Sequence, residues 1–325
     1  MKHYNPNELS IPEVQRLLQG GIGPRPISLV STVSKEEINN LTPFSFFNVF
    51  GANPPIIAFS PSRRGRDASL KDTYFNIIET KECVVQAVTY AMIEQVSLAS
   101  TEYESGIDEF VKSGLTPIDS DLVKPKRVKE SPFQMECKLR DMMSYGEGGT
   151  SANIAICEVI KFHVDEDIFV NGLIHPNKID LVARMAGDFY CRAFGDNIFM
   201  VEKPITKKGI GYDQLPEFIR SSNVYTAGNL GKFGNIEHIP SVGSINAYIE
   251  EVNALALADY EQSLSAFNRY KRDKNYQYML KFLLQDTELD VNLKRQYLDE
   301  TAKVALELNQ VEIAWKIALF AGREK

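Results

Sequence analysis

Apolar residues follow two different patterns along this chain. Between residue 27 and about residue 170 they form short β-rich runs, at 27–33, 55–60, 82–88 and 154–164, separated by turn residues. Several such strands with few helices predict a barrel or a sandwich, with the barrel preferred. Within this region Tyr74, Ile77 and Ile78 recur at helical spacing, so a short helix is expected over 71–80 with Asp72 and Thr73 in its first turn. Residues 97–113 read as a second helix, mostly polar and at the surface.

From residue 244 to 321 helix formers dominate. Ile249, Val252 and Leu255, then Leu280, Phe282 and Leu283, then Val304, Leu308 and Ile317 mark amphipathic antiparallel helices, with breaks expected near Asp273 and Asp286. Between the two patterns, residues 202–241 are punctuated by Pro204, Gly209, Gly211, Pro216, Gly228, Gly231, Gly234 and Pro240, which reads as a linker or flap with a brief helix on Leu215, Phe218 and Ile219. The expected organisation is a β domain over 1–203, a linker or flap over 204–243 and a helical extension over 244–325. No chemistry is visible in the helical part.

Three polar clusters interrupt the β-rich part. In Gly23-Pro24-Arg25-Pro26-Ile27-Ser28 the two prolines fix the backbone around Arg25, either to present its side chain or simply to form a tight turn with a solvated arginine. In Leu41-Thr42-Pro43-Phe44-Ser45-Phe46-Phe47-Asn48 the hydrogen-bonding Thr42, Ser45 and Asn48 alternate with aromatics. Such a segment can match the donors and acceptors on the edge of a flat polar ring, or it can be a bulged core strand. The third cluster joins Ser60, Ser62 and Arg63-Arg64-Gly65-Arg66 to Lys71-Asp72-Thr73. Alone, the arginines read as a solvated loop; beside a helix start they supply the parts of a phosphate site. Together the clusters suit a phosphorylated aromatic ligand.

Composition narrows the setting. The 325 residues favour two domains or one with a large extension, and 44% hydrophobic with 24% charged residues describes a folded globular chain. A formal charge of −7 argues against nucleic-acid or anionic-membrane partners. Cys83, Cys137, Cys157 and Cys191 form no C-x-x-C pair, which suggests reduced, buried thiols and no metal site. No signal-peptide pattern or membrane-spanning run is present, so a cytoplasmic location is expected. Residues 146–153 look like a flexible hairpin turn and not a dinucleotide fingerprint, because they open a strand where that motif opens a helix. None of the four histidines stands in a recognisable catalytic or metal spacing.

The order and wording of the clusters resemble the flavin reductase-like family of FMN-binding split barrels over roughly the first two-thirds of the chain, most specifically at residues 41–48. The resemblance implies a mainly β protein, an FMN-binding split β-barrel of six antiparallel strands, here with a C-terminal α-helical extension. It implies a homodimer holding FMN without a covalent bond in the cleft between subunits. Arg25, Thr42, Pro43, Phe44, Ser45 and Asn48 would then lie beside the flavin ring. Ser60, Arg64, Lys71 and Thr73 would contact the phosphate and ribityl chain, Asn153 would line the site, and Arg184 and Tyr190 would approach the flavin or a nicotinamide. No catalytic acid or base is expected, because the redox chemistry belongs to the cofactor. The leading expectation is an NAD(P)H-dependent flavin oxidoreductase, with NADH or NADPH as reductant. The alternatives are a flavin-bound electron carrier without direct NAD(P)H activity, or a barrel whose helical tail docks a protein partner.

Overall fold

The computed structural model describes residues 1–201, 203, 205 and 207–323. Pro204, one of the punctuating residues of the expected linker, lies outside the described residues. The chain divides into two compact units, Met1–Met200 and Val201–Lys325. No described helix is long and apolar enough to cross a membrane.

The first unit begins with helix α1 (Ile11–Gly21), whose start is fixed by the Ser10 amide donating 2.9 Å to the Glu13 carboxylate. Strands β1 (Arg25–Pro26), β2 (Ser28–Val33), β3 (Asn39–Phe44), β4 (Phe47–Ala52) and β5 (Pro55–Phe59) follow. Next come α2 (Asp72–Thr80), β6 (Glu82–Ala87), α3 (Ile93–Ala99) and α4 (Glu109–Ser113). The short pair β7 (Pro117–Ile118) and β8 (Arg127–Val128) precedes two 13-residue strands, β9 (Phe133–Tyr145) and β10 (Ala152–Val164). The unit closes with β11 (Phe169–Val170), β12 (Leu173–Ile174), the short helix α5 (Pro176–Ile179), β13 (Val182–Arg184) and β14 (Tyr190–Arg192).

The main sheet has seven strands where six were expected, in the order β3-β2-β6-β9-β10-β5-β4 with every neighbouring pair antiparallel. Its two edge strands, β3 and β4, are joined through only Ser45 and Phe46. A sheet whose first and last strands share so short a link must curl back on itself, and the two edges that meet without pairing leave a split. Bulges at Val49/Gly51 in β4, at Arg140 of β9 opposite Ile156/Cys157, and at Val159/Lys161 in β10 add the local twist this curling needs. Pro43 sits on the edge strand β3, where its missing N–H costs no ladder bond.

Strand β2 is buried along its whole length because both of its faces are covered. Val30 joins Phe44, Phe59, Ile77, Val85 and Cys137 in one core, while Leu29 joins Leu41, Val88, Met92, Val96 and Phe110 in a second core beneath α3 and α4. The polar surface helix expected over 97–113 is two short helices that bury Val96 and Phe110. Gly106, at φ +87°, interrupts the stretch, and the Asp108 carboxylate restarts it by accepting from the Phe110 amide at 2.8 Å.

The second unit is helical: α6 (Glu217–Arg220), α7 (Ala227–Gly234), α8 (Val242–Ala254), α9 (Leu264–Arg272), α10 (Tyr276–Gln285), α11 (Val291–Glu307) and α12 (Val311–Ala321). Asp273 and Asp286, the expected breaks, are the C-caps of α9 and α10. Residues expected as a linker or flap contribute to this unit's core: Leu215, Ile219 and Phe233 are buried with Leu280, Leu298 and Trp315. The fully buried Trp315 ring meets Phe233 edge-on at 5.2 Å and donates its Nε1–H to the Phe233 carbonyl at 3.0 Å. Gly228, Gly231 and Gly234, which look like linker punctuation, lie within α7, and Pro216 is the N-cap of α6.

Candidate functional site

A cavity of about 730 Å³ opens at the split of the first unit. Its floor is Pro43, Phe44, Ser45 and Phe46, the link between the two edge strands. Phe44 is buried and stacks on Phe59 at 5.4 Å, so it serves the core and the floor at once. Opposite, the loop after β5 brings Ser60, Ser62, Arg63, Arg64 and Gly65, and the start of α2 brings Lys71. Helix α1 supplies a third wall through Ile11, Val14 and Leu18, and the turn before β10 supplies Gly148 to Ser151.

The cationic end of this cavity is built by local geometry. Arg64 donates to the Leu70 carbonyl at 2.6 Å and to Ser69 Oγ at 3.2 Å, which bends residues 64–70 into a loop. Arg63 donates to the Ala68 carbonyl at 2.9 Å, yet its buried Nε–H has no partner. Lys71 is the N-cap residue of α2, half-buried, with no ion-pair or hydrogen-bond partner among the described residues. Burial, and then the nearby Arg64 charge, hold its ammonium pKa below the ordinary lysine value. Ser60 Oγ and Ser62 Oγ lie 2.9 Å apart. Glu102 stands 4.0 Å from the Arg64 Nε and 3.9 Å from Arg66, so it offsets part of the positive charge.

These groups amount to a ready anion cradle. A half-buried ammonium without a close partner, two guanidinium side chains, two hydroxyls and a helix start line one end of the cavity, a donor set that suits an anion. The floor beside it is aromatic and backbone-rich, which suits a flat ring. A phosphorylated flavin fits both halves.

Of the expected site residues, Pro43, Phe44, Ser45, Ser60, Arg64 and Lys71 line this cavity together. The others do not line it, and most of their polar groups are engaged within the protein. Arg25 is buried and donates to the carbonyls of Gln19 and Ile22 at 2.7 Å each and of Met185 at 2.9 Å, so it anchors the C-terminal end of α1 to the segment after β13. Thr73 is fully buried and donates to Asn40 Oδ1 at 2.7 Å. The Thr42 hydroxyl lies 3.5 Å from Asn40 Nδ2. Asn153 accepts from Ser144 and donates to the Pro61 carbonyl, which pins the loop carrying Ser62 and Arg63 to β10. Asn48 is exposed on β4, its Oδ1 accepting from the Val49 amide. Arg184 pairs with the Tyr190 hydroxyl and packs 4.5 Å over its ring, on the small sheet β1-β13-β14.

Sequence reasoning missed the α1 wall, the orphaned Arg63 Nε and the closeness of two glycine loops. A Cβ placed on Gly149 would lie 2.7 Å from the Gly65 carbonyl oxygen, so the two loops touch because Gly149 has no side chain. Gly149→Val is therefore expected to push the loops apart and lower flavin affinity by at least about tenfold, with an overpacking strain of about 1–3 kcal/mol. Fluorescence titration with FMN, beside far-UV circular dichroism to verify folding, measures it.

Comparison with known proteins agrees with this geometry. The sequence model of the flavin reductase like domain matches residues 21–179. A protein of Aquifex aeolicus is 37% identical over 182 residues, covering 56% of this chain and 90% of its own length. Among solved structures, nitrilotriacetate monooxygenase component B from Bacillus cereus superposes with a TM-score of 0.58 at 33% identity, over 62% of this chain and 98% of that one. The 2-nitrobenzoate 2-nitroreductase of Pseudomonas fluorescens superposes at 0.55 with 25% identity, over 64% of this chain and all of that one. The curled antiparallel sheet, the cavity at its split and these matches converge on one conclusion: the chain belongs to the flavin reductase-like family, as a split β-barrel with an additional C-terminal helical region.

Proposed function

We propose that this protein is an FMN-dependent oxidoreductase reduced by NADH or NADPH, working as a homodimer. The observation that carries the reading is the meeting, in one cavity, of a cationic cradle with the Pro43–Phe46 floor. Arg63, Arg64, Lys71, Ser60 and Ser62 would hold the phosphate end, and the segment from Pro43 to Phe46 would lay its backbone edge along the ring. When bound, the flavin supplies the hydride and electron chemistry.

The chain's own residues have positioning work. Arg25 fixes α1 as a wall of the cavity, and Asn153 holds the loop that presents Arg63. The apolar side chains of α1, Ile11 and Leu18 among them, are exposed toward the cavity and would be covered by the ring of a bound flavin. Nothing in the cavity needs to act as general acid or base.

The test is the visible spectrum of the purified protein, recorded with FMN before and after anaerobic addition of NADH or NADPH. Flavin bands that bleach with either nucleotide are the expected result. Bands that persist would replace this reading with an electron carrier reduced by a protein partner, and folded protein that refuses FMN would remove both.

A further inference from the structure

The helical unit carries a groove of about 740 Å³ outside the family match, floored by one face of α11. Asn292, Arg295, Gln296, Asp299, Lys303 and Glu307 recur at three- and four-residue steps, so they share that face. Phe218 of α6 and the loop after it, with Asn223, form one wall, and Lys271 at the end of α9 forms the other.

The charges along this floor divide into satisfied and unsatisfied groups. Lys271 pairs with Glu300 at 2.8 Å, and Lys274 pairs with Glu307 at 3.2 Å. Asp299 is buried at the base, where it accepts from Ser222 Oγ at 2.7 Å and from the Tyr225 hydroxyl at 2.9 Å. Burial raises the Asp299 pKa, against the opposing pull of its two hydroxyl donors and the nearby Arg295 charge. Lys303 remains a half-buried cation with no ion-pair or hydrogen-bond partner among the described residues, and Arg295, also half-buried, makes no close ion pair or hydrogen bond there although it lies near enough to Asp299 to feel its charge. Arg295 is held in place by packing 5.4 Å over the Phe218 ring.

The spacing of these two cations indicates the ligand's shape. Eight residues of helix separate them, about 12 Å along the axis, and the floor from Asn292 to Glu307 runs about 22 Å. Over that span each cation can serve a separate carboxylate of one extended ligand. Between and beside them stand the amides of Asn223, Asn292 and Gln296, whose paired donor and acceptor match the peptide backbone. An extended chain rising about 3.3 Å per residue would cover the floor with about six or seven residues.

We propose that this groove binds an extended acidic peptide segment of a partner protein, with carboxylates of the peptide on Arg295 and Lys303 and its backbone on the groove amides. The site is independent of the flavin cavity, and the proposal does not rest on the oxidoreductase reading.

The experiment is selection of a random heptapeptide display library on the full-length protein, in parallel with Arg295→Gln, Lys303→Gln and the double variant. Circular dichroism verifies that each variant is folded. Enriched peptides are then measured by fluorescence anisotropy, with succinate and citrate as competitors. Support is enrichment of Asp or Glu at two positions about four residues apart, with affinity falling about fivefold for each single variant and further for both. Overturning results are no enrichment, acidic peptides that bind the double variant equally well, or succinate or citrate displacing the peptide at its own concentration, which would make the site one for a small dianion.

Discussion

Replacing Lys71 with methionine should weaken FMN binding about tenfold to a hundredfold while leaving riboflavin affinity within about twofold, since a hydrogen bond to a charged group contributes about 1.5–3 kcal/mol. The expectation follows from position. Lys71 has no internal partner to lose, so the substitution removes a ligand contact without orphaning any protein group. Riboflavin has the same ring and no phosphate, so the difference between the two ligands isolates the phosphate contact. Equal losses for both would place Lys71 at the ring end and overturn the orientation proposed above.

The same lysine gives the binding a pH profile. In the free protein its pKa is lowered, by burial first and by Arg64 second. A bound phosphate favours the ammonium form and raises that pKa again, so binding takes up a proton between the two values. Affinity is therefore full below the free-protein pKa of Lys71 and falls as pH rises through it. On the acid side affinity falls as the phosphate gains its proton, near pH 6 for an ordinary phosphate monoester, roughly. Titrations across pH should show both limbs for the parent protein and only the acid limb for Lys71→Met.

Trp315→Ala should be the most damaging single change in the helical unit, costing about 3–5 kcal/mol. The ring is fully buried against Phe233, and truncation leaves a cavity together with an unpaired Phe233 carbonyl. Two compact units allow the loss to be confined. Thermal melting followed by far-UV circular dichroism should show an early helical transition, while FMN binding by the barrel persists at temperatures below it. A single transition unchanged from the parent would show that the Trp315 contacts contribute little. Simultaneous loss of both signals would show that the units fold together.

How much of this was legible in the sequence is clearest at particular residues. The β-rich runs, the α2 helix and the caps at Asp273 and Asp286 follow from local patterns, since period and capping chemistry act over a few neighbours. Ser60, Arg64 and Lys71 were legible as one cluster because they lie within twelve residues of each other. Thr73, two residues after Lys71, is also polar but faces Asn40 in the core, and no local signal marks it as buried. The helical face bearing Arg295 and Lys303 was also present in the spacing. That these two cations are unpaired depends on where α9 delivers Lys271 and where the loop at Ser222 meets Asp299.

By itself, then, the sequence determined the element types, the family resemblance and the chemistry of the three clusters, because each is encoded in residues adjacent along the chain. Only the tertiary structure decided which polar groups are spent and which are free. Arg25 gives its two terminal nitrogens to the carbonyls of Gln19, Ile22 and Met185, Asn153 gives its amide to Pro61, and the Nε of Arg63, like that of Arg25, is left without a partner. Hydrogen-bond capacity is allocated across contacts between residues far apart in sequence, such as the 160 positions separating Arg25 from Met185, and that allocation is settled only when the sheet has curled and its edges have met.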